Sequence, residues 1–318
     1  MISIKYNTAD FFEKEKGDIY IYGAANAGYW VAYYLNKCGI KFEGFIDKAV
    51  IHSGALFAKS AVYAPCHLQS LYGTIRVIIT PENSDSVIAD MIRLQCDKNA
   101  DVVCLLPHYP LHHKPNEKGY NINRFLGYFR RKLLKGTVPT FISNDCTAGK
   151  CYEMLDAIPS SPTINSIIFQ EDYIKLCSNP EHYLRQNLSD IHWAVFNVLA
   201  NNRHEVPAGI IDDVEILFVY TWDYEKLEKQ WKLMKERINW EKLVFIMSDA
   251  TGAISFPVAE EFSKLKRKHI LMLKDRASLY IGQKKIDIHF GNSGFFFMNN
   301  DPIENHFDFL GWLNDVEY

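Results

Sequence analysis

Uninterrupted apolar runs rich in β-branched and aromatic residues recur through the first third of the chain: Asp18 to Tyr22 (DIYIY), Phe42 to Ile46 (FEGFI), Arg76 to Thr80 (RVIIT) and Asp101 to Leu106 (DVVCLL). The intervals between them are long enough for crossover helices, which is the pattern of parallel strands buried on both faces. Tyr29 to Lys37 (YWVAYYLNK) predicts a helix entered from Gly28 and left through Gly39, and Ser84 to Gln95 predicts a second helix capped by Ser84 or Asp85. From Pro107 to Gly119 the chain reads PHYPLHHKPNEKG, where prolines without periodicity predict a loop that closes the first domain near residue 120.

Asn121 to Leu134 predicts a basic amphipathic helix, with Phe125, Tyr128, Phe129 and Leu133 on one face and Arg124, Arg130, Arg131 and Lys132 mostly off it. Its first reading is a connector packed through the aromatic face, and its second a basic surface for a membrane or an anionic glycan. A further series of strands is predicted at Thr140 to Ser143, Val214 to Thr221, Leu243 to Ser248, His269 to Lys274 and Gly294 to Met298. Helices are predicted between them at Glu171 to Cys177, Pro180 to Leu188, Tyr224 to Arg237 and Pro257 to Lys266. The expected fold class is therefore α/β, as two Rossmann-like three-layer α/β/α domains with mostly parallel sheets, over residues 1–120 and 121–318. Ligands are expected at the carboxyl ends of the strands.

Composition narrows the function classes. A chain of 318 residues with 48% hydrophobic, 14% aromatic and 23% charged residues is globular. Its net charge of −3 provides no global field for a nucleic-acid backbone, so no nucleic-acid partner is expected. Seven cysteines (38, 66, 96, 104, 146, 151 and 177) follow neither a disulfide framework nor a paired zinc spacing, and no metal is expected. The first residues carry no signal-peptide pattern, and no apolar stretch reaches the ~18 residues that span a bilayer. A cytoplasmic protein with at most peripheral membrane contact is expected.

Two turns between a strand and a helix carry the candidate chemistry. In IYIYGAANAGYWVAYYL, Gly23, Ala25, Asn26 and Gly28 stand where a dinucleotide fingerprint places its tight turn, its phosphate approach and its helix packing, with Ala25 in place of the middle glycine. Asp47, 19 residues after Gly28, stands where an acid receives ribose hydroxyls. These strands resemble the amino-terminal domain of bacterial sugar O- and N-acyltransferases, and the resemblance, over residues 18 to about 106, implies a nucleotide sugar rather than a redox dinucleotide.

The second turn lies in TFISNDCTAGKCYEML, where a strand enters a helix beginning near Thr147. Outward amides and the helix dipole would suit an anion or an oxyanion, and Cys146, with Lys150 nearby, would be a thiolate nucleophile. The competing reading is a buried, inert thiol, with Asn144 and Asp145 as turn and cap formers. Ser143, Asn144, Asp145, Thr147, Gly149 and Lys150 are the substrate-binding candidates there, joined by Thr163 and Asn165 of SSPTIN as a polar rim and by Arg237 as an anion clamp. Asp212, Asp213 and Glu215 are a weaker metal-diphosphate candidate. His108, His112, His113, His182, His192 and His204 offer bases that spacing cannot choose among, and Trp222, Trp231 and Trp240 read as packing residues.

Residues 138 to about 300 resemble the bacterial domain-of-unknown-function family nineteen-nineteen, often labelled putative exopolysaccharide biosynthesis protein. Ser143, Asn144, Cys146, Gly149, Pro162, Thr163, Asn165, Asp172, Tyr173, Asp213, Glu215, Trp231, Arg237, Ile238 and Asn239 carry it. The chain departs from the usual pattern at Asp145, Thr147 and Ala148. The resemblance implies a surface-polysaccharide context and no particular reaction. Three function classes follow. The first is a transferase acting on a sugar or nucleotide sugar, with a nucleotide sugar or acyl-coenzyme A as donor and Cys146 as nucleophile if the reaction is acyl transfer. The second is a non-catalytic nucleotide-sugar sensor or scaffold in peripheral contact with a polysaccharide-assembly complex. The third is a nicotinamide-dependent oxidoreductase, disfavoured by Ala25 and by the absence of a catalytic pair.

Overall fold

The computed structural model describes residues 1–49, 55–106, 108–111, 114–120, 122–197, 203–219, 226–249, 252–273, 280–281, 284–285, 288–290, 302–305 and 307–315. By contact density the chain forms two compact units. One comprises Met1–Leu134, Met154–Asp156 and Asn300–Asn305, and the other Lys135–Glu153, Ala157–Asn299 and His306–Tyr318.

The first unit contains β1 (Ile2–Lys5), β2 (Asp18–Tyr22), β3 (Gly44–Ile46), β4 (Ala55–Phe57), β5 (Ser60–Tyr63), β6 (Gly73–Ile79) and β7 (Ala100–Leu105), of which β2, β3, β6 and β7 take up the four apolar runs. With them lie helices α1 (Thr8–Glu13), α2 (Asn26–Lys37) and α3 (Ser84–Arg93). The strands form one sheet in the order β1-β7-β6-β2-β3-β5-β4, parallel except for β4 against β5. From β2 the chain moves outward through α2 to β3, whereas β6 lies on the other side of β2 and α3 leads outward to β7. The strand order therefore reverses between β2 and β6, and right-handed crossovers put α2 and α3 on opposite faces of the sheet. Alternate residues obey this division: Tyr20, Tyr22, Val77 and Ile79 share a core with Val87, Ile88 and Met91 of α3.

Two local expectations are corrected. The stretch expected as a loop from Pro107 to Gly119 contains an antiparallel hairpin, β8 (His108–Leu111) with β9 (Lys114–Tyr120). The cap of α3 is Asn83, whose side chain accepts from the Ser86 amide, rather than Ser84 or Asp85.

The predicted basic helix is α4 (Ile122–Leu133), and it belongs to the first unit. Its aromatic face is buried as expected, but Arg130 is not a surface cation. It is fully buried, and all five of its N–H donors are engaged. Nε and Nη2 meet Glu304 at 2.7 and 2.9 Å, Nη1 donates to the carbonyls of Asn123 (2.6 Å) and Met154 (3.1 Å), and Nη2 reaches Asn123 Oδ1 at 3.1 Å. The hydroxyl of Tyr34 donates to Glu304, and Arg131 donates to the Asp156 carbonyl at 2.7 Å. Arg130 is thereby withdrawn from the expected basic surface, while Arg131 and Lys132 remain exposed.

The second unit holds two sheets. β10 (Thr140–Ser143), β15 (Leu243–Ser248), β16 (His269–Leu273) and β19 (Ile288–Phe290) form a parallel sheet in that order. β11 (Ser166–Ile167), β12 (Ser189–Asn197), β13 (Arg203–Ile211) and β14 (Val214–Phe218) form an antiparallel sheet in the order β11-β14-β13-β12. The run at Val214 therefore joins a hairpin rather than the parallel sheet. β17 (Tyr280–Ile281) and β18 (Lys284–Lys285) make a short hairpin.

The helices of this unit are α5 (Thr147–Met154), α6 (Gln170–Ser178), α7 (Pro180–Leu184), α8 (Leu227–Lys235), α9 (Phe256–Ser263) and α10 (Phe309–Asn314). Together with strand residues such as Ile142, Phe245 and Leu271, the residues Tyr173, Leu176, Trp231 and Phe262 build its core. The strand expected at Gly294 to Met298 lies outside the described residues. Among the described residues no helix is long and apolar enough to cross a membrane.

Removing one partner of a buried ion pair leaves an uncompensated charge and costs about 3–5 kcal/mol. Glu304→Ala should lower unfolding stability by that amount in chemical denaturation, while Glu304→Leu combined with Arg130→Met should recover most of it. Burial pushes the Glu304 carboxyl up, but Arg130 and Tyr34 outweigh burial and hold it below the ordinary glutamate range. Its contribution is therefore present above that range and lost as pH falls through the lowered folded value, a loss that the double variant should not show.

Candidate functional site

Both candidate turns follow the carboxyl end of a parallel strand and open a helix, so the decisive question is what satisfies the first amides of each helix. In the second unit the chain itself satisfies them. The Thr147 amide donates to Asp145 Oδ1 at 2.9 Å, the Ala148 amide to Ser143 Oγ at 2.9 Å, and the Gly149 amide to the Cys146 carbonyl at 3.1 Å. Ser143 Oγ in turn donates to the Asp145 carbonyl. The acid that begins α5 also occupies the positive end of its dipole. The outward amides expected for an anion or oxyanion are committed.

The remaining members of this turn are held as firmly. Asn144 is fully buried, and its side-chain amide closes a two-bond ring with the backbone of Ser248: Nδ2 donates to Ser248 O and Oδ1 accepts from Ser248 N, each at 2.8 Å. This bridge extends the β10–β15 ladder past its last strand residues. One step earlier, the buried Tyr173 hydroxyl from α6 accepts from the Ile246 amide at 3.1 Å and lies 2.7 Å from the Ile142 carbonyl. In the sequence Tyr173 stands only as a position of the family resemblance, and neither it nor Ser248 is given a fixing role there; a hydroxyl within the otherwise apolar face of α6 was the available signal.

Cys146 is half-buried, and burial first, then the neighbouring Asp145, push its thiol up to about 12, with Lys150 opposing. This overturns the expectation of a lowered thiol pKa. Lys150 itself pairs with Glu153 at 3.1 Å. SSPTIN does lie beside the turn, because a side chain at Gly149 would touch Asn165 Oδ1 at 3.5 Å. Thr163 is buried and bonded to Ser161 at 3.1 Å, so of the expected polar rim of Asn144, Thr163 and Asn165 only Asn165 is exposed.

Arg237 does not join the turn. It is exposed, two residues before Asn239, which binds Thr137, Val138 and Thr140 at the opposite, amino end of β10. Trp231 is core, donating to the Gln186 carbonyl at 2.9 Å, and Trp240 packs partly buried against the same core, while Trp222 lies outside the described residues.

The Asp212–Asp213 pair forms the tip of the β13–β14 hairpin and is engaged: His182 lies 2.7 Å from Asp212, Tyr183 donates to Asp213 at 2.9 Å, and Lys175 reaches Asp213 at 3.1 Å. His192 lies 3.0 Å from Glu215, and the Asp190 carbonyl and Glu215 raise its pKa, which makes it an ion-pair partner rather than a poised base. Among the described residues, no group of three or more His, Cys, Asp or Glu is placed to hold a metal ion. His112 and His113 lie outside the described residues, and the side chains of His108 and His204 are not described.

The first-unit turn has the opposite character. Gly23, at φ +108°, takes a backbone conformation that favours glycine, and a Cβ there would meet Thr80 Oγ1 at 2.5 Å. Gly28 lies inside the first turn of α2 rather than before it, and a Cβ there would meet the Gly23 carbonyl at 2.0 Å. The N-cap is Ala25, extended and exposed, with no side chain to cap the helix. Among the described residues no acceptor meets the amides of Ala27 and Gly28. Asp47 does approach this turn, but it serves the backbone: Oδ2 accepts from the Ala24 amide at 2.7 Å and Oδ1 from the Ala49 amide at 2.8 Å.

A family model described as a domain of unknown function, DUF1919, matches residues 118–314. The chain belongs to that family. An uncharacterised protein of Haemophilus influenzae is 25% identical over 203 residues, covering 61% of this chain and 90% of that relative. The DUF1919 match takes in the Cys146 turn and begins close to residue 120, whereas the Gly23 turn precedes it.

In this DUF1919 chain Asn144→Ala should leave the amide and carbonyl of Ser248 unpaired and cost about 1–3 kcal/mol for each group, measured by chemical denaturation. Cys146 should remain unalkylated by iodoacetamide at neutral pH and gain reactivity only as pH rises towards 12.

Proposed function

We propose that this protein binds a nucleotide sugar at the Gly23–Gly28 turn and acts as a non-catalytic sensor or scaffold in polysaccharide assembly. The observation that carries the reading is the uncapped start of α2 at the point where the strand order reverses between β2 and β6. A twelve-residue helix at the carboxyl edge of a parallel sheet, whose Ala27 and Gly28 amides meet no acceptor among the described residues, suits a phosphate group. The two glycines let the backbone of the turn and helix come close together, and Asp47 pins the turn from the side.

The nucleotide-sugar identity and the polysaccharide setting rest on the resemblances of the two halves of the sequence to sugar-modifying and exopolysaccharide-associated families. The sensor reading is favoured over acyl transfer through Cys146 because that thiol is held protonated and the amides that would receive an oxyanion are already bonded. In the second unit's parallel sheet the described strands add outward in a single direction, with no order reversal to form an equivalent crevice.

Ala25→Asp separates binding from folding. Aspartate is a preferred N-cap, worth about 1 kcal/mol over alanine, and the N-cap backbone is already extended. The variant should be as stable as the parent or more so, yet its cap would compete with a ligand phosphate. A thermal-shift titration with uridine and guanosine diphosphate sugars should stabilise the parent by about 2.7 kcal/mol at 100 times Kd and leave Ala25→Asp unshifted. A shift that survives in Ala25→Asp, or one given by acyl-coenzyme A alone, would reject this site.

A further inference from the structure

Of the seven cysteines, Cys66 is exposed, Cys38 and Cys146 are half-buried, and Cys96, Cys104, Cys151 and Cys177 are buried. Cys66 lies in a short 3-10 turn, Pro65–Ser70, that follows β5. This turn is stitched to the segment after α3. Gln69 donates to the Leu94 carbonyl, and Asn99 donates to the Gln69 carbonyl at 2.7 Å, so bonds flank Cys96 on both sides. Leu68 of the turn is buried in the same core cluster as Cys96. His67 is stacked on Tyr63, with ring centroids 4.0 Å apart and 9° between planes, which fixes the neighbour of Cys66.

The Cys96 thiol reaches the carbonyl oxygen of Pro65 at 3.6 Å. Because that carbonyl belongs to the peptide bond entering Cys66, the Cys96 sulfur lies within about 6.5 Å of the Cys66 Cα. Disulfide geometry needs a Cα separation of about 4.4–6.8 Å, so the bond requires the 65–70 turn to move towards Cys96 and the Cys66 side chain to rotate its sulfur onto the Cys96 sulfur.

We propose that Cys66 and Cys96 form a peroxide-responsive thiol pair, with Cys66 as the attacked and Cys96 as the resolving cysteine. Cys66 sulfur displaces hydroxide from hydrogen peroxide: the S–O bond forms, the O–O bond breaks, and the departing oxygen leaves as water with the thiol proton. The sulfur of Cys96 then attacks the sulfenic acid. The S–S bond forms, the S–O bond breaks, and a second water carries away the Cys96 proton. Two thiols lose two electrons and one peroxide becomes two waters. Burial pushes the Cys96 thiol up to about 11, which leaves the first step to the exposed partner and makes the second step, attack by the Cys96 thiolate, faster as pH rises.

Peptide mapping without reduction, after brief hydrogen peroxide treatment of the full chain and alkylation of residual thiols, tests this. The expected product is one linked peptide pair joining Cys66 to Cys96, two hydrogens lighter than its parts and reversed by dithiothreitol. It should persist in Cys38→Ser and vanish in Cys66→Ser, an exposed substitution that leaves the core untouched. In Cys96→Ala, Cys66 should be trapped as a sulfenic acid that dimedone labels. If Cys96→Ala does not fold, the parent and Cys66→Ser maps decide alone. Linkage of Cys66 to another cysteine, or its advance to sulfinic acid while Cys96 stays alkylatable after denaturation, would overturn the proposal.

Discussion

A guanidinium with no contact to water must find all of its hydrogen bonds inside the protein, and Arg130 finds them on three separate stretches of chain. It binds Asn123 on its own helix, the carbonyl of Met154, and the carboxylate of Glu304, which also receives the Tyr34 hydroxyl from α2. Neighbouring bonds follow the same lines, from Arg131 to Asp156 and from Trp30 of α2 to Asn305. These contacts account for why Met154–Asp156 and the 302–305 stretch belong to the first unit although both are distant in sequence from its sheet. They also hold α2 through Trp30 and Tyr34, the side of the helix away from its glycine turn.

The two strand-to-helix turns show how one local geometry acquires opposite characters. In each a parallel strand ends, the chain turns sharply, and helical amides begin. At Ser143–Thr147 the side chains of Ser143 and Asp145 take those amides, and Asn144 is spent on the backbone of Ser248. At Gly23–Gly28 the small residues Ala24, Ala25 and Ala27 have no side chain able to do the same, and Asp47 engages the Ala24 amide, before the helix. A turn full of polar residues is thereby closed by its own side chains, whereas in the other turn Ala25 offers no side chain to cap the helix. Polar side chains in a turn satisfy the backbone first, because an unpaired buried amide costs more than an unused side chain.

Much of the first unit was legible because its strands are buried on both faces and its helices have one apolar side. DIYIY coincides with β2, and RVIIT and DVVCLL correspond to β6 and β7 within one to three residues at either end. The antiparallel strands β12 and β13 were missed: Pro207 sits within β13, opposite Trp193, and proline normally argues against an inner strand. Arg130 was placed off the buried face because helical periodicity treats arginine as a surface residue, and the carboxylate that neutralises it is 174 residues away. For Cys146 the sequence left two readings open, a thiolate at a helix start and a buried thiol, for a related reason. Its position at a helix start was read correctly, but Asp145 and the surrounding burial oppose the thiolate more strongly than Lys150 supports it.

The sequence by itself determined the α/β class, the alternation that makes the first sheet parallel, and the places where a strand must turn into a helix, since all of these follow from periodicity and from glycine positions a few residues apart. Only the tertiary structure decided which charges are buried, which turn amides remain open and which cysteines are neighbours. Each of those depends on what residues far along the chain bring to within hydrogen-bond distance, and no local pattern encodes the identity of a partner that arrives from another strand or helix.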